Sequence, residues 1–201
     1  MKTQDRKISH LIEDETVEVL QRTLELVGAV VNAVSDVVTR AMATPARQSL
    51  PEVVQGVLQG VVSLRGDSRL AVQGINLNVE LAVKGIMIGV IRGVGRNDKS
   101  VLNTIVDVSG FIITAVITSG IEDITVVANA AVEGAIEGAQ SMDLNLEDAG
   151  SAAAAGVIMA ANGLSDEAGL SVQKVVVRTF GSVKVLPEKY LLKFERQKRK
   201  K

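Results

Sequence analysis

Cysteine and aromatic residues are almost missing from this sequence of 201 residues, which contains no cysteine, no tryptophan, one tyrosine and three phenylalanines. Without cysteine the chain can form neither disulfide bonds nor thiolate metal sites, and a reducing, cytoplasmic location is expected. The aromatic content of 2% leaves little surface for stacking on bases or sugar rings. Because 47% of the residues are hydrophobic, the core must be built from valine, isoleucine, leucine and alanine.

Long uninterrupted hydrophobic runs are missing as well. A secretory signal needs an apolar run after its first positive charges, and the polar segment MKTQDRKISHLIEDE contains none. The most apolar run without charge is 108–121, and the longer run 149–165 is rich in alanine, glycine and serine. Both are shorter than the roughly 20 residues of a membrane-spanning helix, so the sequence predicts no transmembrane span.

Hydrophobic residues recur with helical spacing along most of the chain. This spacing predicts an all-α fold, either a multi-helix bundle or a helical array of about seven glycine- and alanine-rich helices. The predicted helices are 8–42, 51–64, 69–94, 99–119, 121–142, 147–162 and 166–183. Segment 101–127 is also rich in residues that favour strands, but its polar residues follow the helical period. We expect a helical body over 1–183 with a candidate hinge at 43–51, and a basic tail over 184–201.

Glycine recurs inside the predicted helices. In AVKGIMIGVIRGVG it occupies every fourth position, and the related motifs VVQG, AVQG and AVEG occur at 53–56, 71–74 and 131–134. A glycine inside a helix costs about 1 kcal/mol relative to alanine, so close contact between helices must offset this loss. The sequence therefore predicts helix-packing or association faces at Gly56, Gly60, Gly85, Gly89, Gly93, Gly134 and Gly138.

The polar residues of the predicted helices form narrow stripes. In the helix over 69–94, for example, Glu80 and Lys84 are spaced to pair at positions i and i+4. A helix that is polar along only a thin stripe must be covered over the rest of its surface. Several such helices are difficult to cover within a chain of this length. We therefore expect burial against other copies of the chain, in a homo-oligomer or a larger assembly.

No motif in the sequence predicts catalysis, a cofactor or a metal site. The segment GVGRNDKS at 93–100 has only part of the pattern of a phosphate-binding loop, because Asp98 stands where the second glycine belongs and the segment follows a helix. His10 is the single histidine, and it has no neighbouring cysteine or second histidine with which to bind metal. One histidine near the charged N-terminal segment gives little basis for a Ser–His–Asp site. We therefore expect a non-enzymatic protein without a cofactor.

Charge is distributed unevenly, although the net charge is −1. Segment 184–201 contains eight Lys/Arg and two Asp/Glu residues, giving +6, so the remaining residues carry −7. The residues that could contact an anionic partner are Lys193, Arg196, Lys198, Arg199, Lys200 and Lys201. Such a partner could be nucleic acid phosphate, an anionic lipid headgroup or the acidic body of another copy. The alternative interpretation is a solubilising terminus.

The segment AVEGAIEGAQSMDLNLEDAGSAAAAGVIMAANGLSDEAG, at 131–169, resembles the helices of bacterial phasin-like granule-associated proteins. The resemblance is one of composition and approximate eleven-residue spacing. It implies a non-enzymatic coat on polyhydroxyalkanoate or lipid inclusions. Helices on a granule usually keep a broad polar face, however, and narrow stripes favour burial against protein. The sequence thus leaves three non-enzymatic hypotheses, which are a self-associating structural protein, an inclusion coat and a helical binder of an apolar ligand. An enzyme ranks fourth.

Overall fold

The computed structural model describes residues 2–22, 29–44, 46, 49–64, 79–95, 98–120 and 123–180. These residues form eight α-helices and, within the described ranges, no strand. The helices are α1 (Lys2–Arg22), α2 (Ala29–Met42), α3 (Leu50–Leu64), α4 (Val79–Val94), α5 (Asp98–Thr118), α6 (Ile124–Ser141), α7 (Leu146–Leu164) and α8 (Asp166–Phe180). The predicted all-α fold is confirmed, and segment 101–127 is helical in α5 as far as Thr118 and in α6 from Ile124.

Three of the predicted boundaries lie at least partly on residues outside the described ranges. The single helix predicted over 8–42 is described as α1 and α2, and residues 23–28 between them lie outside the described ranges. The start predicted at residue 69 also lies outside them, so α4 is described from Val79. The candidate hinge at 43–51 joins α2 to α3 and is described only in part. The basic tail over 184–201 lies wholly outside the described residues.

The helices are arranged in two layers. The most extensive contacts join helices that are two apart in the order of the described helices, as in α1 with α3 and α2 with α4. The first layer therefore contains α1, α3, α5 and α7, and the second contains α2, α4, α6 and α8. Each helix also packs across the layers on its neighbours in sequence. Among the architectures expected from the sequence, the structure corresponds to the helical array, which is the arrangement of repeat proteins.

The core lies between the two layers and consists of aliphatic and small side chains. Its largest fully buried members include Leu58, Ile86, Ile105 and Ile112. Helix α4 has α2 and α6 on either side within its layer, and ten of its residues are buried. Helices of the same chain therefore cover the apolar surface of α4 outside its narrow polar stripe. Burial of this surface does not require a second copy.

The ends of several helices follow from local sequence. Gly95 and Gly120, just after α4 and α5, have positive φ angles of 80° and 72°, which glycine adopts without steric cost. The side chain of Asp123 accepts hydrogen bonds from two backbone amides at the start of α6. Asn145 does the same at the start of α7. These caps satisfy amide groups that have no partner inside the helix.

One described helix is long and apolar enough to cross a membrane by length and composition alone. It is the segment Ser100–Thr118 of α5, and 44% of its most apolar window is buried inside the fold. The core helix of a water-soluble protein meets the same criteria. The absence of a transmembrane span therefore stays a prediction.

Candidate functional site

The seven glycines that the sequence singles out all lie at contacts between neighbouring helices of one layer. Gly56 and Gly60 of α3 face α1, and the three glycines of α4 face α2. Gly134 and Gly138 of α6 face α4. Thus three helices, α3, α4 and α6, each present glycine to the helix that lies two positions earlier in the chain.

The geometry of these contacts repeats from one helix pair to the next. A Cβ atom at Gly85 would stand 2.7 Å from the carbonyl oxygen of Val31 and 2.7 Å from the Cβ of Val34. A Cβ atom at Gly60 would likewise meet the carbonyl oxygen of Glu13 and the Cβ of Thr16, at 3.1 and 3.0 Å. Both glycines therefore lie over the carbonyl of one residue and the Cβ of the residue three positions later.

The register of these contacts gives the direction of the helices. Moving four residues along α4, from Gly85 to Gly89, moves the contacted carbonyl four residues along α2, from Val31 to Ser35. The same advance joins Gly134 and Gly138 of α6 to residues 84 and 88 of α4. Neighbouring helices of a layer are therefore parallel, and ridges of residues spaced by four pack against each other. Close approach of backbones at small residues is the general advantage of this spacing.

These glycine faces are occupied by helices of the same chain. A second copy could contact them only if a helix of the array were displaced. Association between copies through these particular faces stays a prediction, and the described packing gives the glycines a role inside one chain.

Sequence reasoning missed the residues on the other side of these contacts, several of which carry hydroxyl groups. Thr16, Ser35 and Ser109 are buried, and each lies against a glycine of a neighbouring helix. The hydroxyl of Thr16 donates to the carbonyl oxygen of Ile12 at 2.7 Å, so its burial leaves no unpaired donor. The useful signal would have been small hydroxyl residues at the helical spacing of the glycines.

One further glycine, Gly156 of α7, has the same environment and was also missed. A Cβ atom there would meet the carbonyl oxygen of Val106 and would stand 2.8 Å from the Cβ of Ser109, both in α5. Gly156 follows a run of four alanines, in the same place as the glycine of the AVKG and AVEG motifs. This contact extends the glycine packing to the α5–α7 pair.

A charged cluster lies across the outer side of the α4–α6 contact. The ammonium group of Lys84 forms an ion pair with Glu133 and lies 3.6 Å from the carboxylate of Glu137. The amide of Asn129 donates to Glu133 at 2.8 Å. The hydrogen bond to Glu133 raises the pKa of Lys84 above its usual value, against the opposing effect of partial burial. The cluster therefore ties α4 to α6 at the place where Gly134 lets their backbones approach.

An open groove of about 460 Å³ lies beside this cluster, between α4, α6 and α8. Its polar lining comes from Glu80, Asn129, Glu133 and Arg178, and it has charges of both signs. Within the described ranges, no group of three or more acidic or histidine side chains could hold a metal ion. His10, the single histidine of the sequence, lies on the surface with its Nδ1 3.5 Å from the Glu13 carboxylate.

The six basic residues proposed for an anionic partner, Lys193, Arg196 and Lys198 to Lys201, lie outside the described residues, so that interaction stays a prediction. Compared with models of known protein families, with curated proteins and with solved structures, the chain gives no match. Function must therefore be argued from the chain's own surfaces.

Proposed function

We propose that the protein is a non-enzymatic, cytoplasmic structural protein that associates with further copies of itself into a homo-oligomer. The proposal rests on the difference in charge between the two broad outer faces of the array. The glycine contacts make the single chain a densely packed unit. One outer face of this unit has few charged residues, as protein interfaces do.

The outer face of the second layer is charged. Its exposed or half-buried side chains include Arg40, Lys84, Arg92, Glu137 and Arg178. Both signs are interspersed, as is usual for a surface that remains in water. This face gives no reason to expect a large protein contact.

The outer face of the first layer, over α3, α5 and α7, has little charge. Beyond their first turns, these three helices contain a single charged residue, Asp107. Accessible side chains here are uncharged or apolar, among them Gln55, Val62, Phe111 and Met159. Ile117 is 38% exposed. We call this surface the low-charge face. Depletion of charge and the presence of accessible apolar groups are features of protein interfaces.

A second candidate function, a coat on polyhydroxyalkanoate or lipid inclusions, is favoured by the same face. Helix α5, at its centre, meets the length and composition criteria for a membrane-spanning helix. An apolar particle would cover the low-charge face without a specific partner. We rank this function second because the exposed stripe of α5 also contains Asn103 and Asp107, which an apolar particle cannot pair by hydrogen bonds.

Light scattering coupled to size exclusion tests the proposal on the full chain. Over a range of protein concentrations we expect a discrete mass that is a multiple of 21.2 kDa. A mass of one chain at every concentration would contradict self-association. Flotation of the same sample with neutral phosphatidylcholine vesicles then tests the second candidate, which requires the protein to move with the vesicles.

A further inference from the structure

We infer that the partner on the low-charge face is a second copy of the chain, docked about a two-fold axis so that the two α5 helices pair antiparallel. This inference rests on the proposed self-association and specifies its surface and symmetry. It starts from the exposed stripe of α5, which occupies the centre of the low-charge face because α3 and α7 lie on either side of it.

The stripe has the spacing of a helix-pairing seam. Six of its residues, which we call the seam, follow one another at intervals of four, three, four, three and four. They are Ser100, Thr104, Asp107, Phe111, Thr114 and Thr118, and the exposed Asn103 and Ile117 lie beside them. Alternating intervals of three and four are those of the contact positions in paired helices. All six side chains are half-buried or exposed in the single chain, so they remain accessible to a partner.

The threonines of this seam can be covered without losing hydrogen bonds. The hydroxyl of Thr104 donates to the carbonyl oxygen of Ser100 at 2.8 Å. Thr114 donates to Gly110 at 3.2 Å, and Thr118 donates to Ala115 at 2.9 Å. Since each donor already has a partner in its own helix, burial against another protein leaves no hydroxyl hydrogen unpaired. The seam is therefore less polar than its sequence indicates.

The seam is also self-complementary when it is reversed. About its midpoint, between Asp107 and Phe111, Ser100 is the counterpart of Thr118 and Thr104 is the counterpart of Thr114. In an antiparallel pair with this axis, hydroxyl residues meet hydroxyl residues and each Asp107 meets the partner's Phe111. The two carboxylates do not face each other directly. This symmetry is what an isologous dimer requires of a surface that meets its own copy.

The size of the face matches what a stable dimer needs. Helix α5 has 21 residues, which corresponds to about 31 Å of length. Three neighbouring helices at about 8–10 Å spacing give a width of roughly 25 Å. The product, about 800 Å², equals the roughly 800 Å² that each partner buries in a standard protein–protein interface. Beyond the first turns of these three helices, Asp107 is the one charge that pairing would desolvate, so it limits the strength of the dimer.

Disulfide trapping tests the axis directly because the natural chain has no cysteine. The proposed axis places position 104 of one copy beside position 114 of the other, whereas the two positions 104 lie about 15 Å apart along the helices. The variants Thr104→Cys and Thr114→Cys are purified separately, mixed and exposed to air. We expect the mixture to form covalent dimers more than about tenfold faster than either variant alone, because pairing raises the effective concentration of the two thiols.

Charge substitution provides the second test. Thr114→Glu places a carboxylate within the seam and is expected to return the protein to the mass of a single chain. Gln173→Glu adds the same charge at an exposed position of α8 and should leave the mass unchanged. Asp107→Asn should lower the dissociation constant of the dimer, because it removes the charge that pairing would desolvate. Circular dichroism of each variant confirms that the helices are intact.

The outcomes separate this inference from the proposed function. An associating wild-type chain whose cysteine variants do not cross-link in the mixture, and whose mass Thr114→Glu does not change, overturns the α5 pairing and leaves self-association standing. If the wild-type protein has the mass of one chain at every concentration, both the α5 pairing and the proposed self-association are overturned. If that single chain instead floats with phosphatidylcholine vesicles and Thr114→Glu abolishes flotation, the low-charge face binds lipid rather than a second copy.

Discussion

The carbonyl oxygen of Ser35 lies 2.6 Å from the point that a Cβ atom of residue 89 would occupy. Gly89 thus allows the backbones of α2 and α4 to meet more closely than any other residue would permit. The contact is reinforced by Thr39, whose hydroxyl lies 3.2 Å from the carbonyl oxygen of Gly89, and by Arg92, which donates to the Ser35 hydroxyl at 3.2 Å. Contacts of this kind offset the helix-propensity cost of the glycines.

Replacing this glycine should therefore destabilise the fold. In Gly89→Ala the new methyl group would collide with the Ser35 carbonyl and with the Cβ of Val38, 2.7 Å away. Neither atom can move by a change of side-chain rotamer. We expect the free energy of unfolding to fall by about 1–3 kcal/mol, despite the gain of about 1 kcal/mol in helix propensity. Urea denaturation followed by circular dichroism measures the change.

Gly163→Ala is the matched control for that substitution. Gly163 belongs to α7, and a Cβ atom there would have no neighbour within 4 Å. The same chemical change should then be neutral or stabilise the protein by up to about 1 kcal/mol. Equal losses for Gly89→Ala and Gly163→Ala would show that close backbone approach is not what these glycines provide.

The α5–α7 contact permits a comparison of two glycines on opposite sides of one helix pair. At Gly156 a Cβ atom would stand 2.8 Å from the Cβ of Ser109, whereas at Gly110 it would stand 3.7 Å from the Gly156 carbonyl oxygen, an ordinary contact distance. We expect Gly156→Ala to lower the midpoint of thermal unfolding and Gly110→Ala to leave it nearly unchanged or raise it. A larger loss at position 110 would contradict the described packing.

The helical period was sufficient to predict the all-α fold, and the glycine spacing indicated one side of several helix contacts, because both patterns depend on one helix at a time. The pairing of the helices was not predictable in the same way. Gly56, Gly85 and Gly134 occur in similar motifs, and nothing local shows that each faces the helix two positions earlier. The residues opposite Gly85 and Gly134, which are Val31, Val34, Lys84 and Met87, share no local motif either.

Lys84 illustrates the same limit. Sequence spacing relates Lys84 only to Glu80 of its own helix and does not indicate Glu133 and Glu137 of α6, with which Lys84 forms ion pairs. These residues are about 50 positions away in the chain, and they come close because Gly134 lets α6 approach α4. The narrow polar stripe on α4 predicts a second copy for a related reason. The sequence does not show that α2 and α6 of the same chain flank this helix.

The cap of α6 should make stability depend on pH. Asp123 accepts hydrogen bonds from the hydroxyl of Thr125 at 2.6 Å and from its backbone amide at 3.0 Å. The first of these is the main cause that lowers the pKa of Asp123 below its ordinary value of 3.8. Because the folded pKa is the lower one, the stabilisation is present above about pH 4 and is lost as the pH falls through the folded pKa.

Asp123→Ala should accordingly lower the free energy of unfolding by about 1 kcal/mol at pH 7, and by less at pH 3. Asn145→Ala removes an uncharged cap, whose side chain accepts from the amide of Glu147 at 2.9 Å. Its effect should be the same at both pH values. Urea denaturation at pH 7 and pH 3 measures both differences, and a loss at Asp123 that does not change with pH would refute the role of its charge.

Lys84 should contribute stability in the opposite pH direction. Its ion pair with Glu133 raises its pKa above the ordinary 10.5, so the contribution is complete below that value and is lost as the pH rises through the folded pKa. Lys84→Met should lower the free energy of unfolding by about 1 kcal/mol at pH 7, because Glu133 and Glu137 then repel each other without a cation between them. In 1 M NaCl the loss should shrink, since salt screens this repulsion.

Lys174→Met, at an exposed position of α8, should change stability by less than about 0.5 kcal/mol. If both variants lose the same stability and respond equally to alkaline pH, the ion pair across α4 and α6 does not hold these helices together.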